Sequence, residues 1–156
     1  MSESLLKYFQ FSEPGSGPGS INPGTPQPLV LGVETTLASI RLKRIHENDR
    51  EFLTATVGWW FVVPSPSPLF GVGSELMFRI RRDSLVGPIV FETKDTGFLP
   101  PAPGMNHANT TSFNHTETGV GGHNHDYFLT VTLFSDFATI IGPVTFEGFV
   151  IDENMG

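Results

Sequence analysis

ELMFRIRR, residues 75–82, alternates along its length between two sets of side chains. In an extended chain successive side chains point to opposite faces, so Leu76, Phe78 and Ile80 share one side and Glu75, Met77, Arg79 and Arg81 the other. That pattern is a strand with one face on a core and one toward solvent. Downstream, GPIVFETK, residues 87–94, is its expected partner. Upstream, Leu53, Ala55, Val57, Trp59 and Phe61 share a face until PSPSP, residues 64–68, ends the strand, because proline cannot donate to a ladder. Before that, Ala38, Ile40 and Leu42 alternate with Ser39, Arg41 and Lys43, and ENDR at 47–50 turns the chain back.

The same period continues toward the C-terminus. A proline-rich loop separates Asp95 from Ala108, after which TTSFNHTET, residues 110–118, puts Thr111, Phe113 and His115 on one face. YFLTVTLF, residues 127–134, and IGPVTFEGFVI, residues 141–151, supply two further strands. Seven or eight strands broken by turn residues predict an all-β fold, an antiparallel β-sandwich. Their number, aromatic content and long loops favour a jelly-roll-like winding over an immunoglobulin-like one.

Composition agrees. The 156 residues include 14 Phe, 17 Gly and 13 Pro, which favours sheet and turns over helix. A net charge of −7 argues against nucleic acid as a partner, since phosphate binding needs a basic face. The densest cationic run, Arg79, Arg81 and Arg82, is expected to mark the solvent side of a strand. With no cysteine, disulfides, thiol catalysis and zinc–thiolate sites are ruled out. No signal-peptide pattern opens the chain and no run approaches the roughly 20 apolar residues of a membrane helix, so the expected start is cytoplasmic, without membrane contact.

The N-terminus departs from this regularity. SLLKYFQFS, residues 4–12, carries Leu5, Phe9 and Phe11 on one face of an extended strand and Leu6 and Tyr8 on the other, the pattern of a strand covered on both sides. It runs into EPGSGPGSINPGTPQP, residues 13–28, where Pro14, Gly15, Gly17, Pro18, Gly19, Pro23, Gly24 and Pro26 exclude helix and core alike. The expected organisation is an arm at 1–13, a flexible linker at 14–28 and a sandwich at 29–156.

Little points to catalysis. No Ser lies in a nucleophile elbow and nothing singles out a carboxylate pair, so an enzyme is not expected and no cofactor is implied. Histidine clusters at 107, 115, 123 and 125. His123 and His125 at i and i+2, with Asp126 or His115, form a weak metal-ligand candidate, set against a Gly-rich loop that offers no rigid support. The expectation is therefore no metal. Of Trp59 and Trp60, adjacent in a strand, one belongs to the core and the other to solvent or a partner.

FLTATVGW at 52–59, LMFRIRRD at 76–83, GPIVFET at 87–93, TTSFNH at 110–115 and YFLTVTL at 127–133 resemble, in that order, small jelly-roll proteins of the Firmicute endospore surface, in the exosporium and its appendages. The resemblance spans residues 29–151. It implies a structural subunit of a pilus-like spore appendage, made in the mother-cell cytoplasm and displayed on the spore, whose N-terminal connector docks on a neighbouring copy. Its partners would be copies of itself, a spore-surface anchor and a tip protein. Lacking cysteine, this chain departs from the disulfide-stitched appendage subunits, so a fibre joined by strand complementation alone is implied. Leu5, Leu6, Tyr8, Phe9 and Phe11 are the expected coupling residues, entering the next subunit's sheet by β-augmentation. The alternative is a carbohydrate- or receptor-binding jelly-roll module, a TNF-like head, that the arm merely tethers.

Overall fold

A computed structural model describes residues 5–12, 26–62, 74–97, 106–135 and 137–152. Nine strands follow one another: β1 (Leu5–Ser12), β2 (Gln27–Pro28), β3 (Glu34–Ile45), β4 (Arg50–Val62), β5 (Glu75–Arg82), β6 (Ile89–Thr96), β7 (Asn106–Thr118), β8 (His123–Ser135) and β9 (Ala138–Asp152). There is no helix among the described residues. One sheet has the order β1-β9-β4-β7, with β2 also on β9, and the other β3-β8-β5-β6. The two form an antiparallel β-sandwich.

The pairings are nested. First pairs with last, β1 on β9; then β3 with β8, β4 with β7 and β5 with β6. Two further ladders, β4 with β9 and β5 with β8, join these hairpin-like pairs into the two sheets. β1 thus forms the outer strand of the first sheet, on β9 of its own chain.

Alternation places the core as the sequence predicts. Leu53, Ala55, Val57, Trp59 and Phe61 of β4 face Ile40 and Leu42 of β3, Phe78 and Ile80 of β5, and Tyr127, Leu129 and Val131 of β8, all buried in one cluster. Trp59 is the core member of the tryptophan pair, and its Nε1 donates to Thr111 Oγ1 at 2.9 Å, while Trp60 is half-buried on the opposite face. Thr111, Phe113 and His115 share the inner face of β7, where both Phe113 and His115 meet Phe91 of β6.

Outward residues of the second sheet are less exposed than alternation alone implies. Met77, Thr130 and Thr132 lie on its outer face yet are buried. Arg81 bridges to Glu34 with Nε–Oε1 2.7 Å, Arg79 pairs with Glu92 at 2.6 Å, and Thr130 donates to Glu34 at 2.6 Å. Long side chains paired across the strands lie flat and cover their short neighbours. The basic run is thereby neutralised in place, Arg82 also pairing with Glu117 at 2.6 Å.

The segment PSPSP and the linker residues Pro14, Gly15, Gly17, Pro18, Gly19, Pro23 and Gly24 lie outside the described residues. Pro26 is exposed. The expected linker gives way earlier than residue 28, since Gln27 and Pro28 already pair with Ile140 and Thr139.

Candidate subunit-coupling site

β1 runs along β9 from Leu5 opposite Asp152 to Ser12 opposite Phe146. The register shifts between Leu6 and Tyr8, so Lys7 forms a bulge. An extra residue in one strand exchanges the faces of everything beyond it, which corrects the expected grouping of Leu5 with Phe9 and Phe11. Leu6, Phe9 and Phe11 lie over Ile151, Phe149 and Glu147 on the outer face, whereas Leu5, Tyr8 and Gln10 share the inner phase with Val150 and Gly148.

Of the five expected coupling residues, Tyr8 alone packs against the core. Leu5, Leu6, Phe9 and Phe11 remain 52%, 56%, 43% and 53% exposed. Phe9 contributes to an outer aromatic row, with its ring 4.8 Å from Phe149, which is in turn 6.1 Å from Phe52. A strand whose large side chains are half in water is held chiefly by its backbone ladder, because burial on that scale does not by itself offset about 1–2 kcal/mol of ordering entropy per residue.

The seat beneath β1 is shaped by a glycine. A Cβ on Gly148, opposite Gln10, would lie 2.6 Å from Ile40 Cδ1 and 2.8 Å from Leu42 Cδ2. Its absence lets β9 close on β3, and β1 then borders an open groove of about 500 Å³ lined by Tyr8, Gln10, Arg41, Lys43, Asp126 and Phe128 among others.

One ion pair ties the bulge down. Lys7 Nζ lies 2.7 Å from Asp49 Oδ2, with the Asp49 side chain wholly removed from water and that of Lys7 15% exposed. Asp49 Oδ2 also accepts from the His46 backbone N–H at 2.7 Å.

Next to this end lies a buried polar relay. Across the first sheet Tyr8, Val150, Glu51 and Glu117 stand in one row on the inner face. From the opposite sheet the Tyr127 hydroxyl reaches both acids, at 2.5 Å from Glu51 Oε2 and 2.7 Å from Glu117 Oε2. A hydroxyl has one proton and cannot donate to two carboxylates. Burial pushes the Glu51 carboxyl up, against the opposing effects of the Tyr127 hydrogen bond and nearby positive charge. The hydroxyl therefore serves the two acids in alternation, donating to one at a time, while Arg82 neutralises Glu117. Burial with two carboxylate neighbours pushes Tyr127 itself far above the ordinary phenol value.

His125 flanks the relay, with Nδ1 2.8 Å from Asp83 Oδ1 and Nε2 3.1 Å from the Gly121 carbonyl. Both partners are acceptors, so the ring is an imidazolium. Burial lowers its pKa, but the bonds to Asp83 and Gly121 together with the charges of Asp83 and Glu51 outweigh that and raise it.

The four metal-ligand candidates are dispersed rather than gathered. His115 lies against Phe91, His123 is edge-on to His46 with centroids 6.4 Å apart, His125 is held as above, and Asp126 pairs with Arg41 at 2.6 Å. His123 and His125 stand in β8, not in a loop. Among the described residues no three His, Cys, Asp or Glu are grouped to hold a metal ion.

The acids and His125 were legible in principle. Counting backward in steps of two from Leu53 and Tyr127, or forward from Phe113, lands on Glu51, Asp49, His125 and Glu117, polar residues in the inward phase.

The relay predicts a pH dependence. Once pH passes the ordinary carboxylate value, the folded chain keeps the Glu51 proton that the unfolded chain loses, so stability falls as pH rises. The stability from His125 is complete below its ordinary value of 6.5 and is lost as pH rises through its raised native value. Glu34 and Asp126, lowered by hydrogen bonds from Arg81 and Arg41 respectively, contribute above the ordinary carboxylate range and lose that contribution as pH falls. Melting temperature is thus expected to peak at roughly pH 5–6 and to fall by several degrees toward alkaline pH. Glu51→Gln should flatten the acidic part of that fall and leave the His125 part, as thermal melts across pH will show.

Comparison with protein-family models, curated proteins and solved structures finds no match to the chain.

Proposed function

We propose that the chain is a structural, self-assembling subunit of a pilus-like fibre, joined when β1 of one copy takes the β9 seat of the next. The observation that supports this is the seat itself: β1 runs along one edge of the sheet, held by a backbone ladder and one ion pair, with four of its five large apolar side chains extensively exposed. The same ladder forms whether β1 comes from its own chain or from a neighbour, which is the condition for strand exchange. We read the nested pairing as a jelly-roll winding in which β1 is the first strand, so its removal opens the roll at β9. Placement on the spore surface, with an anchor and a tip protein as partners, rests on the five strand motifs that resemble endospore appendage proteins.

Pairing within one chain competes through a high effective concentration, so assembly should rise steeply with subunit concentration. Because the protein has no cysteine, an introduced pair reports the joint without background. Phe9 and Phe149 are directly opposed, and opposed Cβ atoms lie about 4.5–5.5 Å apart, within adjustment of a disulfide. Oxidised Phe9→Cys/Phe149→Cys protein is expected to run as a ladder on non-reducing gels, and a mixture of the two single variants as a mixed dimer. An internally linked monomer alone, with no fibres under negative stain, would count against exchange.

The closed seat within one chain favours a second reading, the tethered carbohydrate- or receptor-binding head. Discrete monomers or trimers in size-exclusion chromatography at every concentration would select it.

A further inference from the structure

We infer that the Lys7–Asp49 pair sets the register of the coupling strand and selects which seat it accepts; this rests on the strand-exchange reading above. A strand with apolar side chains on both faces has little to fix its register, since a slip of one residue simply exchanges one apolar set for the other. β1 is such a strand: Leu6, Phe9 and Phe11 form one set, Leu5 and Tyr8 the other. Side-chain hydrophobicity therefore leaves the neighbouring registers close in free energy.

Charge separates them. Lys7 is the sole cation of β1 and stands at its bulge, with Nζ 2.7 Å from Asp49 Oδ2. The Asp49 side chain is out of water, and its Oδ1 has no hydrogen-bond partner among the described residues. Asp152, on β9 beside the seat, is 4.0 Å from the same ammonium. A slip of one residue moves the ammonium by about 3.3 Å, beyond hydrogen-bonding range, and leaves a buried carboxylate without a counter-ion. The penalty falls on every wrong register and every strand lacking a cation at this position, which is the discriminating element that the apolar side chains do not supply.

The test is charge-swap complementation, read by negative stain and light scattering. Lys7→Asp and Asp49→Lys are each expected to reduce assembly at least tenfold, and an equimolar mixture to recover it, because each arm then fits the other's seat. If both single variants assemble like the unmodified protein, the register role is overturned while strand exchange stands. If recovery comes only when both changes are in one chain, the pair acts only within that chain, and the inference falls together with the exchange reading. Asp49 also holds the 46–49 turn, so Asp49→Lys must first match the unmodified protein by circular dichroism. Should it not fold, Lys7→Met decides: introduced into the Phe9→Cys/Phe149→Cys protein, it is expected to cut the intermolecular cross-link yield at least tenfold, and an unchanged yield overturns the inference.

Discussion

A chain beginning at Gln27 is expected to remain a folded monomer and to form no fibres at any concentration. It retains every buried aliphatic and aromatic residue of the central cluster, so the sandwich persists. What it loses is the ladder along Phe146–Asp152, the cover that Tyr8 gives the core, and the cation facing Asp49. β9 then becomes an unprotected edge that invites nonspecific pairing, and solubility should drop. The stability lost is on the order of 2–3 kcal/mol, combining ladder hydrogen bonds with a largely buried ion pair whose carboxylate regains water once β1 is gone. For a domain of this size that corresponds to a melting temperature lower by roughly 5–10 °C. A peptide of residues 4–12 added in excess should restore much of the shift by occupying the empty seat. Light scattering and differential scanning calorimetry are sufficient, and a shortened chain that polymerised like the full one would end the coupling reading.

The second large effect is expected from Tyr127→Phe, with a loss of about 2–4 kcal/mol in urea unfolding. The Tyr127 hydroxyl joins the sheets, lying within hydrogen-bonding distance of both Glu51 and Glu117. Phenylalanine fills the same volume but leaves two buried acids without their shared partner. Glu117 keeps Arg82 at 2.6 Å, so the unsatisfied group is chiefly the Glu51 carboxyl, 1% exposed. Adding Glu51→Leu to Tyr127→Phe should therefore recover at least half of the loss, since removing both partners of a buried bond costs less than removing one. A Tyr127→Phe protein within 0.5 kcal/mol of the original, an uncertainty typical of such measurements, would mean that the hydroxyl does not bridge the acids.

The position of β1 also bears on how its outer face behaves. Phe9, Phe149 and Phe52 make one continuous row, and Leu6 and Phe11 flank it. Because β1 supplies half of that surface, any copy that exchanges its strand rebuilds the same aromatic face on the recipient.

Much of the fold was legible. Each strand phase read from residues 38–42, 53–61, 76–80, 111–115 and 127–133 places the expected side chains inward, because the two-residue period is a local consequence of an extended backbone. The candidate site was legible only in part. The apolar strand at residues 4–12 stood out by composition, but the faces of Leu5 and Leu6 relative to Phe9 and Phe11 were exchanged by a one-residue bulge that no alternation encodes. Asp49, Glu51, Glu117 and His125 were visible as polar residues in an inward phase, yet their partners were not.

By itself, then, the sequence determined an all-β chain, the phase of its main strands and an apolar N-terminal strand set apart by proline and glycine. Tertiary structure alone decided that this strand lies on β9, that Lys7 meets Asp49 42 positions away and that Tyr127 meets Glu51 76 positions away. The reason is physical: periodicity is set by neighbours along the chain, whereas strand pairing and buried polar contacts are set by which distant segments close over one core, and a bulge of one residue is enough to redirect a face.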